Sequence, residues 1–293
     1  MSWARTLSLA VNNNTNAAFQ AWGSAVRDAF ANSGWLQANG VGTQIDWTTV
    51  ATPGGVNQSV GYEIWQMNDA LQNTTPVYVK LEYGSGYAGA APSLFLTVGS
   101  GANASGNVTG NLVPRSQLGI GSYGATVITC YFSGSAARIT IALWVGTNAS
   151  TIIPIILGIE RTCNETGAYT ADGIVIFAGA SGGHYQLAWT PTTGNTTPWE
   201  TSWGFLTPGA VANSGLQMGV SGTYLATYPC FFSIGTMVPS CMFLAQFGEF
   251  TPGQYAVVPA FGTNTTYMPI GNNAVYASSP RGGNRQGLLM RYE

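Results

Sequence analysis

One histidine, His184, is the side chain best suited to acid–base chemistry near neutral pH. It follows Gly182-Gly183, which predicts a position at a turn. A general base needs a nucleophile and an orienting acid within reach, and Ser181 and Asp172 are the nearby residues of the right types. The sequence contains no GxSxG nucleophile elbow. We therefore predict no catalytic residue around His184.

The chain has 11 carboxylates, and any two of them could meet as the acid pair of a glycosidase. No two of these carboxylates are surrounded by aromatic residues in a way that would mark a cleft. Glu63 and Asp69 are interpreted as part of a solvated helix face. Alternatively, they are partners of Arg or Lys within the same helix–strand unit, residues 62–86. The Asp- and Asn-containing loops lack EF-hand spacing. The sequence predicts a protein that is not an enzyme and that has no metal site and no cofactor.

Four cysteines, Cys130, Cys163, Cys230 and Cys241, form no CxxC pair and no zinc pattern. Three of them lie in or beside apolar runs, which favours buried free thiols over disulfides. Cys230 and Cys241 flank two strand-like runs and are the preferred pair if a disulfide forms.

Aromatic residues are frequent, with 9 Trp, 14 Tyr and 12 Phe. Most are interpreted as core residues. Trp189, Trp199 and Trp203 lie in or beside an irregular segment, residues 190–222, that is rich in Pro and Gly. Because tryptophan is enriched at protein interfaces and also stacks on sugar rings, these three residues are predicted to form a contact surface.

Only 7% of the residues are charged, against about 25% in an average soluble domain. Such a neutral surface is typical of proteins packed into stable assemblies, because a buried charge needs a partner. A secreted β-protein with a neutral surface is the alternative. The net charge is −2 and no basic run occurs, so nucleic acid is not a predicted partner.

The N-terminal residues lack the continuous apolar segment of a signal peptide, and no stretch is apolar enough to span a membrane. The most apolar run, residues 152–159, is interrupted by Pro154 and Gly158. We therefore expect a protein made in a cytoplasm, without a membrane span.

The first part of the chain, residues 1–110, is predicted to be α+β. An extended arm over residues 1–14 precedes a helix from Ala17 to Asn32, where apolar residues recur at spacings of three and four. A second helix is predicted over residues 62–72, because Tyr62, Trp65 and Leu71 lie near one helical face. Other predicted elements are strands at 44–50, 77–83 and 93–98 and an exposed loop at 99–110.

The second part, residues 111–293, is predicted to be β-rich, and the two parts are compatible with one continuous domain. Short strand-like runs separated by turns favour an antiparallel β-sandwich or a barrel-like domain. The predicted strands cover residues 125–132, 137–145, 152–160, 173–178, 185–190, 231–237, 241–247, 256–261, 265–270 and 288–292, with a turn at 238–240. The fold class is mainly β with one or two short N-terminal helices.

The segment from Tyr62 to Gly86 resembles virion structural proteins of tailed bacteriophages. The resemblance lies in the motifs YEIW, DALQ, TPVY, KLEYG and LFLTVG between residues 62 and 99, and in the early ANSGW and late MPIG motifs. It implies a non-enzymatic component of the tail, baseplate or host-adsorption apparatus. It also implies location in a virion that assembles in the cytoplasm of a bacterial host.

Two alternatives remain open at this point. One is a head decoration or cement protein on the capsid lattice, and the other is an adhesin that binds or cleaves surface glycans. The expected partners are other virion proteins and further copies of the chain, with a trimer as the expectation from virion symmetry. A host-surface glycan is a possible further partner.

Overall fold

The computed structural model describes residues 2–10, 15–86, 89–119, 127–145, 153–164, 166–180, 183–189, 226–233, 237–246, 255–260, 263–270 and 286–292. Within these ranges the chain forms one helix and many strands, which confirms the mainly β fold with an N-terminal helix. In chain order the elements are Trp3–Leu9 (β1), Asn16–Asn32 (α1), Leu36–Gln37 (β2), Ser59–Gln66 (β3), Tyr78–Gly86 (β4), Gly89–Ala102 (β5), Val108–Gly119 (β6), Ile128–Ser135 (β7), Arg138–Val145 (β8), Ile153–Cys163 (β9), Tyr169–Ala180 (β10), Gly183–Trp189 (β11), Ala226–Ser233 (β12), Met237–Gln246 (β13), Ala256–Ala260 (β14), Thr263–Ile270 (β15) and Gln286–Arg291 (β16).

The strands form three antiparallel sheets. Sheet I has the order β1-β7-β8-β9-β10-β11, sheet II the order β2-β3-β4-β5-β6, and sheet III the order β12-β13-β16-β15-β14. Neighbouring predicted strands pair as the antiparallel hairpins β7–β8, β10–β11 and β14–β15. The predicted strand at 288–292 is confirmed as β16, which lies between β13 and β15.

Helix α1 forms where the apolar periodicity predicts it. The Thr15 side chain caps its first turn by accepting a hydrogen bond from the amide of Ala18 at 3.3 Å. Gly34, with φ +93°, follows its last turn in the left-handed region that suits glycine. One face of the helix is buried, and that face carries Phe19, Trp22, Gly23, Ala25, Val26, Ala29 and Phe30.

Sheets I and II enclose one apolar core together with α1. Alternate residues of β4, β5, β7, β8, β9 and β10 point into it, as expected for sheets with one face on a common core. Sheet I contributes mostly branched aliphatic residues, and sheet II contributes Trp65 and a row of aliphatic residues. The main members are Cys130, Phe132, Ile139, Ile141, Leu157, Ile159, Ile174, Ile176, Trp65, Val79, Leu81, Leu94, Leu96 and Val98.

The opposite face of sheet I packs against sheet III through polar contacts. Strand β13 contacts β9 and β10. The Ser133 hydroxyl donates to the Tyr292 carbonyl at 2.5 Å, and the Tyr292 hydroxyl lies 2.9 Å from Thr6 Oγ1. The guanidinium of Arg138 donates to the backbone carbonyl of Arg291. The described chain therefore has an apolar layer on one side of sheet I and a polar layer on the other.

The helix predicted over residues 62–72 is wrong. Residues 59–66 form β3, paired with β4, and residues 69–75 form turns. Both faces of β3 are covered, because Trp65 enters the main core while Ile64 packs under Ala38 and Val41. A strand with one exposed face shows polar and apolar residues in alternation. Because both faces of β3 are covered, this alternation is lost, and the apolar residues of β3 also fit a helical spacing.

Three smaller predictions also differ from the structure. Residues 44–50 form no strand, because the carboxylate of Asp46 accepts hydrogen bonds from Thr48 and Thr49 in a local turn. The predicted loop at 99–110 is mostly the β5–β6 hairpin. The predicted turn at 238–240 lies inside β13, where Pro239 is accommodated beside a register shift.

A division of the chain at residue 110 does not follow the strand pairing. Strand β6 runs through this position, and β1 pairs with β7 in the second part. The main core also draws residues from both parts.

Candidate functional site

The predicted contact surface of three tryptophans is only partly within the described residues. Trp189 is the last residue of β11 and pairs with Ile174. Trp199 and Trp203 lie outside the described residues. The contact surface therefore stays a prediction.

His184 lies near the start of β11, paired with Gly179. Asp172 belongs to β10 but lies beyond the pair formed by Ile174 and Trp189, at the other end of the hairpin. At ~3.3 Å per residue the backbone separates His184 from Asp172 by roughly 20 Å. Ser181 lies outside the described residues. The register does not bring His184 and Asp172 together.

Glu63 is an acid with a raised pKa, and it is completely buried on the inner side of sheet II. Its Oε1 accepts a hydrogen bond from Trp47 Nε1 at 3.0 Å, and its Oε2 accepts one from the Tyr83 hydroxyl at 2.8 Å. Burial raises the pKa of Glu63, while these two hydrogen bonds and the charge of Arg27 oppose the rise. Burial and the charge of Glu63 likewise raise the pKa of Tyr83.

Helix α1 shapes the space in which Trp47 meets Glu63. A Cβ at Gly23 would lie 1.9 Å from the Trp47 ring, so glycine is required for the indole to pass there. The ring of Tyr83 packs edge-on against Trp47 with centroids 4.5 Å apart. Both oxygens of Glu63 are occupied and shielded from water, so the cluster holds the 46–50 segment against sheet II and offers no acid to a substrate.

The interpretation of Glu63 as part of a solvated helix face is therefore wrong. Asp69 does pair with a basic residue, but with one outside the helix–strand unit in which the sequence predicted a partner. Its carboxylate pairs with Arg161 of β9 through Nε, and through Nη2 at 2.9 Å, while the Arg161 side chain is fully buried. The pair fastens the β3–β4 connection to sheet I. Sequence reasoning missed the cluster around Glu63, because Trp47, Glu63 and Tyr83 come from separate segments of the chain.

The outer face of sheet II carries the charged side chains that the alternation in β4 predicts. The Lys80 ammonium lies 4.4 Å from the ring centroid of Tyr62. Arg115 pairs with Glu82 at 2.9 Å and covers the ring of Phe95, with 3.8 Å to the centroid. These residues face away from the main core and neutralise one another in part.

Exposed apolar side chains mark β14 as a contact candidate. Val257 is 65% exposed and Tyr255, just before the strand, is 43% exposed. β14 ends the strand order of sheet III among the described residues. Its Pro259 cannot donate a backbone hydrogen bond, a common feature of edge strands.

Cys130 and Cys163 are buried free thiols, as predicted, and burial strongly raises the pKa of Cys130. The side chains of Cys230 and Cys241 lie outside what the structure describes. Within the described ranges no three His, Cys, Asp or Glu residues are close enough to hold a metal ion. In the same ranges no helix is both long and apolar enough to cross a membrane.

Comparison with protein-family models and with curated proteins gives no match to this chain.

Proposed function

We propose that the protein is a non-enzymatic structural component of a tailed-bacteriophage virion, in the tail, baseplate or host-adsorption apparatus. The resemblance of residues 62–99 to such proteins motivates the proposal. The mainly β architecture and the low fraction of charged residues are compatible with a component that acts through protein contacts.

The observation that carries the proposal is how the described acids are used. Glu63 is enclosed by Trp47 and Tyr83, and Asp69 is bound to Arg161. Glu82 pairs with Arg115, and the Asp46 carboxylate accepts a hydrogen bond from the amide of Thr48 in its own turn. These internal contacts are compatible with acids that stabilise a scaffold.

The exposed Val257 and Tyr255 supply an apolar surface of the kind that a neighbouring subunit covers. We assign this surface to contact with another virion protein or another copy of the chain. A trimer is expected from virion symmetry. Sedimentation of the purified chain tests the self-association, and a monomer at micromolar concentration would argue against it.

Location in a particle is the direct test. Mass spectrometry of gradient-purified phage particles from the source culture should detect the chain, and immunogold electron microscopy should place it on the tail or baseplate. Labelling spread over the capsid would favour the head decoration alternative. A chain that stays in the soluble fraction and never accompanies particles would refute both.

Glycan chemistry is tested separately. Incubation with host polysaccharide should release no reducing ends if the proposal holds. Release of reducing ends would establish hydrolysis, and retention of polysaccharide without cleavage would identify a glycan-binding adhesin.

A further inference from the structure

Two arginines meet at the end of the β7–β8 hairpin, on the polar face of sheet I. Arg138 is 3% exposed, and its Nη1 donates to the backbone carbonyl of Arg291. Guanidinium groups stay protonated in proteins, so both side chains carry a full positive charge. Among the described residues neither arginine has an acid within salt-bridge distance, since the three ion pairs found there involve other residues.

Three polar atoms at this place lack a hydrogen-bond partner in the part of the chain that the structure describes. They are Ser135 Oγ, Arg138 Nε and Arg291 Nε, and all three are shielded from solvent. Ser135 lies directly opposite Arg138 in the hairpin register. Cross-strand partners of this kind have Cβ atoms ~5 Å apart, and the contact of Arg138 with the Arg291 carbonyl brings Arg291 next to them, so the three residues meet in one region.

The charge balance of the described residues at this place is positive. Glu160 is the cross-strand neighbour of Arg138 on β9 and is 5% exposed. It has an interaction partner of its own, and its single negative charge offsets only one of the two arginines. A buried guanidinium without a bound anion is costly, which is why buried charges in proteins are normally paired.

We propose that Arg138, Arg291 and Ser135 form a binding site for a small oxyanion, either a carboxylate or a phosphate-type group. Arg138 supplies a fixed, buried charge, and guanidinium forks match the geometry of oxyanions. Arg291 and Ser135 are only partly buried, so they form the entrance, and rotation of the Arg291 side chain opens it. A cation or an apolar ligand would leave all three polar atoms without an acceptor. The site is independent of the proposed virion function.

The test is calorimetric titration of sodium phosphate into the full chain at constant ionic strength, with chloride as the reference anion. We expect saturable binding of one anion per chain. The informative variant is Arg291→Gln, because only the backbone of Arg291 takes part in its described hydrogen bonds, so the fold should survive. The affinity should fall by about tenfold or more on loss of one charge-assisted partner.

Arg115→Gln is the matched control, because Arg115 is partly exposed and pairs with Glu82 on a different sheet. Phosphate and sulfate also stabilise proteins generally through exclusion from their surfaces, but that effect does not saturate and would be equal in both variants. Absence of saturable binding in both the original chain and Glu293→Gln, or binding that is unchanged in Arg291→Gln, would overturn the proposal.

A parallel titration with N-acetylglutamate identifies the source of the anion. Tighter binding of N-acetylglutamate than of phosphate supports a protein carboxylate, and the reverse order supports a phosphate-type ligand. Glu293, which lies outside the described residues, follows Tyr292 in the sequence and is a possible competitor. If phosphate binds only after Glu293→Gln, and Arg291→Gln then abolishes it, the site holds a carboxylate of this chain. If phosphate binds neither the original chain nor Glu293→Gln, the site does not exist.

Discussion

The two faces of sheet I belong to the same strands but differ completely in chemistry. The face toward sheet II and α1 carries residues such as Phe132, Ile141 and Ile159, all at most 2% exposed. The face toward sheet III carries Ser133, Arg138, Thr140, Glu160 and Thr162, which are equally buried. The comparison teaches that burial alone does not define a core. The first interface is stabilised by apolar area, and the second depends on specific hydrogen bonds.

The largest effect should come from the apolar interface. Phe30→Ala removes a fully buried ring that packs against Trp35 and Trp65, with centroids 5.1 and 5.4 Å away. We expect a loss of about 4 kcal/mol in the free energy of unfolding, measured by urea denaturation. Leu36→Ala, at a side chain that is 46% exposed, is the control and should stay within ~0.5 kcal/mol. Equal losses of unfolding free energy in the two variants would show that the apolar interface is not the main source of stability.

The apolar side of sheet I also contains a fully buried charged residue, Arg161, and it provides the second test. Asp69→Ala leaves the fully buried Arg161 without its carboxylate, which should cost about 3 kcal/mol. Asp28→Ala breaks the exposed pair with Arg27, whose side chains are 39% and 42% exposed, and should cost less than ~0.5 kcal/mol. A small effect of Asp69→Ala would show that Arg161 reaches water after the change.

Glu63 gives the third test, which is a dependence on pH. Because burial raises its pKa in the folded chain above the ordinary 4.5, the folded state holds this proton more tightly than the unfolded chain. Its contribution to stability is fully present below the unfolded pKa and is lost as pH rises through the folded pKa.

Glu63→Gln removes that dependence. At low pH the variant should be less stable by about 1–2 kcal/mol, because one carboxyl oxygen is replaced by an amide donor. The difference should shrink as pH rises above the ordinary pKa of 4.5, measured by urea denaturation at several pH values. A difference that stays constant with pH would mean that Glu63 keeps its ordinary pKa.

The smallest effect belongs to the polar interface. Ser133→Ala removes the donor to the Tyr292 carbonyl and should cost about 1 kcal/mol. Hydrogen exchange should increase in residues 286–292 while the α1 amides keep their protection, because the two interfaces are separate. Simultaneous loss of protection in both regions would show that the layers unfold as one unit.

Local patterns were enough to predict the elements whose periodicity has a single interpretation. The apolar stripe of α1 and the alternation of β4 each match one secondary structure. The β7–β8 and β10–β11 hairpins were found because turn residues separate strongly β-prone runs. In these segments the local sequence and the tertiary environment favour the same structure.

The failures occurred where tertiary contacts override a local signal. β3 is covered on both faces, so its alternation is hidden. At Gly99 a Cβ would lie 2.3 Å from the Thr109 carbonyl oxygen. The glycine at this position therefore allows two strands to approach closely and does not mark a loop. The cluster of Glu63, Trp47 and Tyr83 joins residues from separate segments, and the Arg138–Arg291 contact joins residues that lie far apart in the sequence. No local pattern encodes such pairs.

The pairing of β1 with β7 has a consequence for how the chain is made. Leu9 pairs with Ile128, so β1 cannot complete its ladder until the middle of the chain has left the ribosome. Meanwhile the residues of α1 that pack against β7 and β8 lack this part of their partner surface. Long-range pairing of this kind slows folding and prolongs the exposure of apolar surface that can aggregate. The interval before the β7–β8 hairpin emerges is when the nascent protein most needs a chaperone.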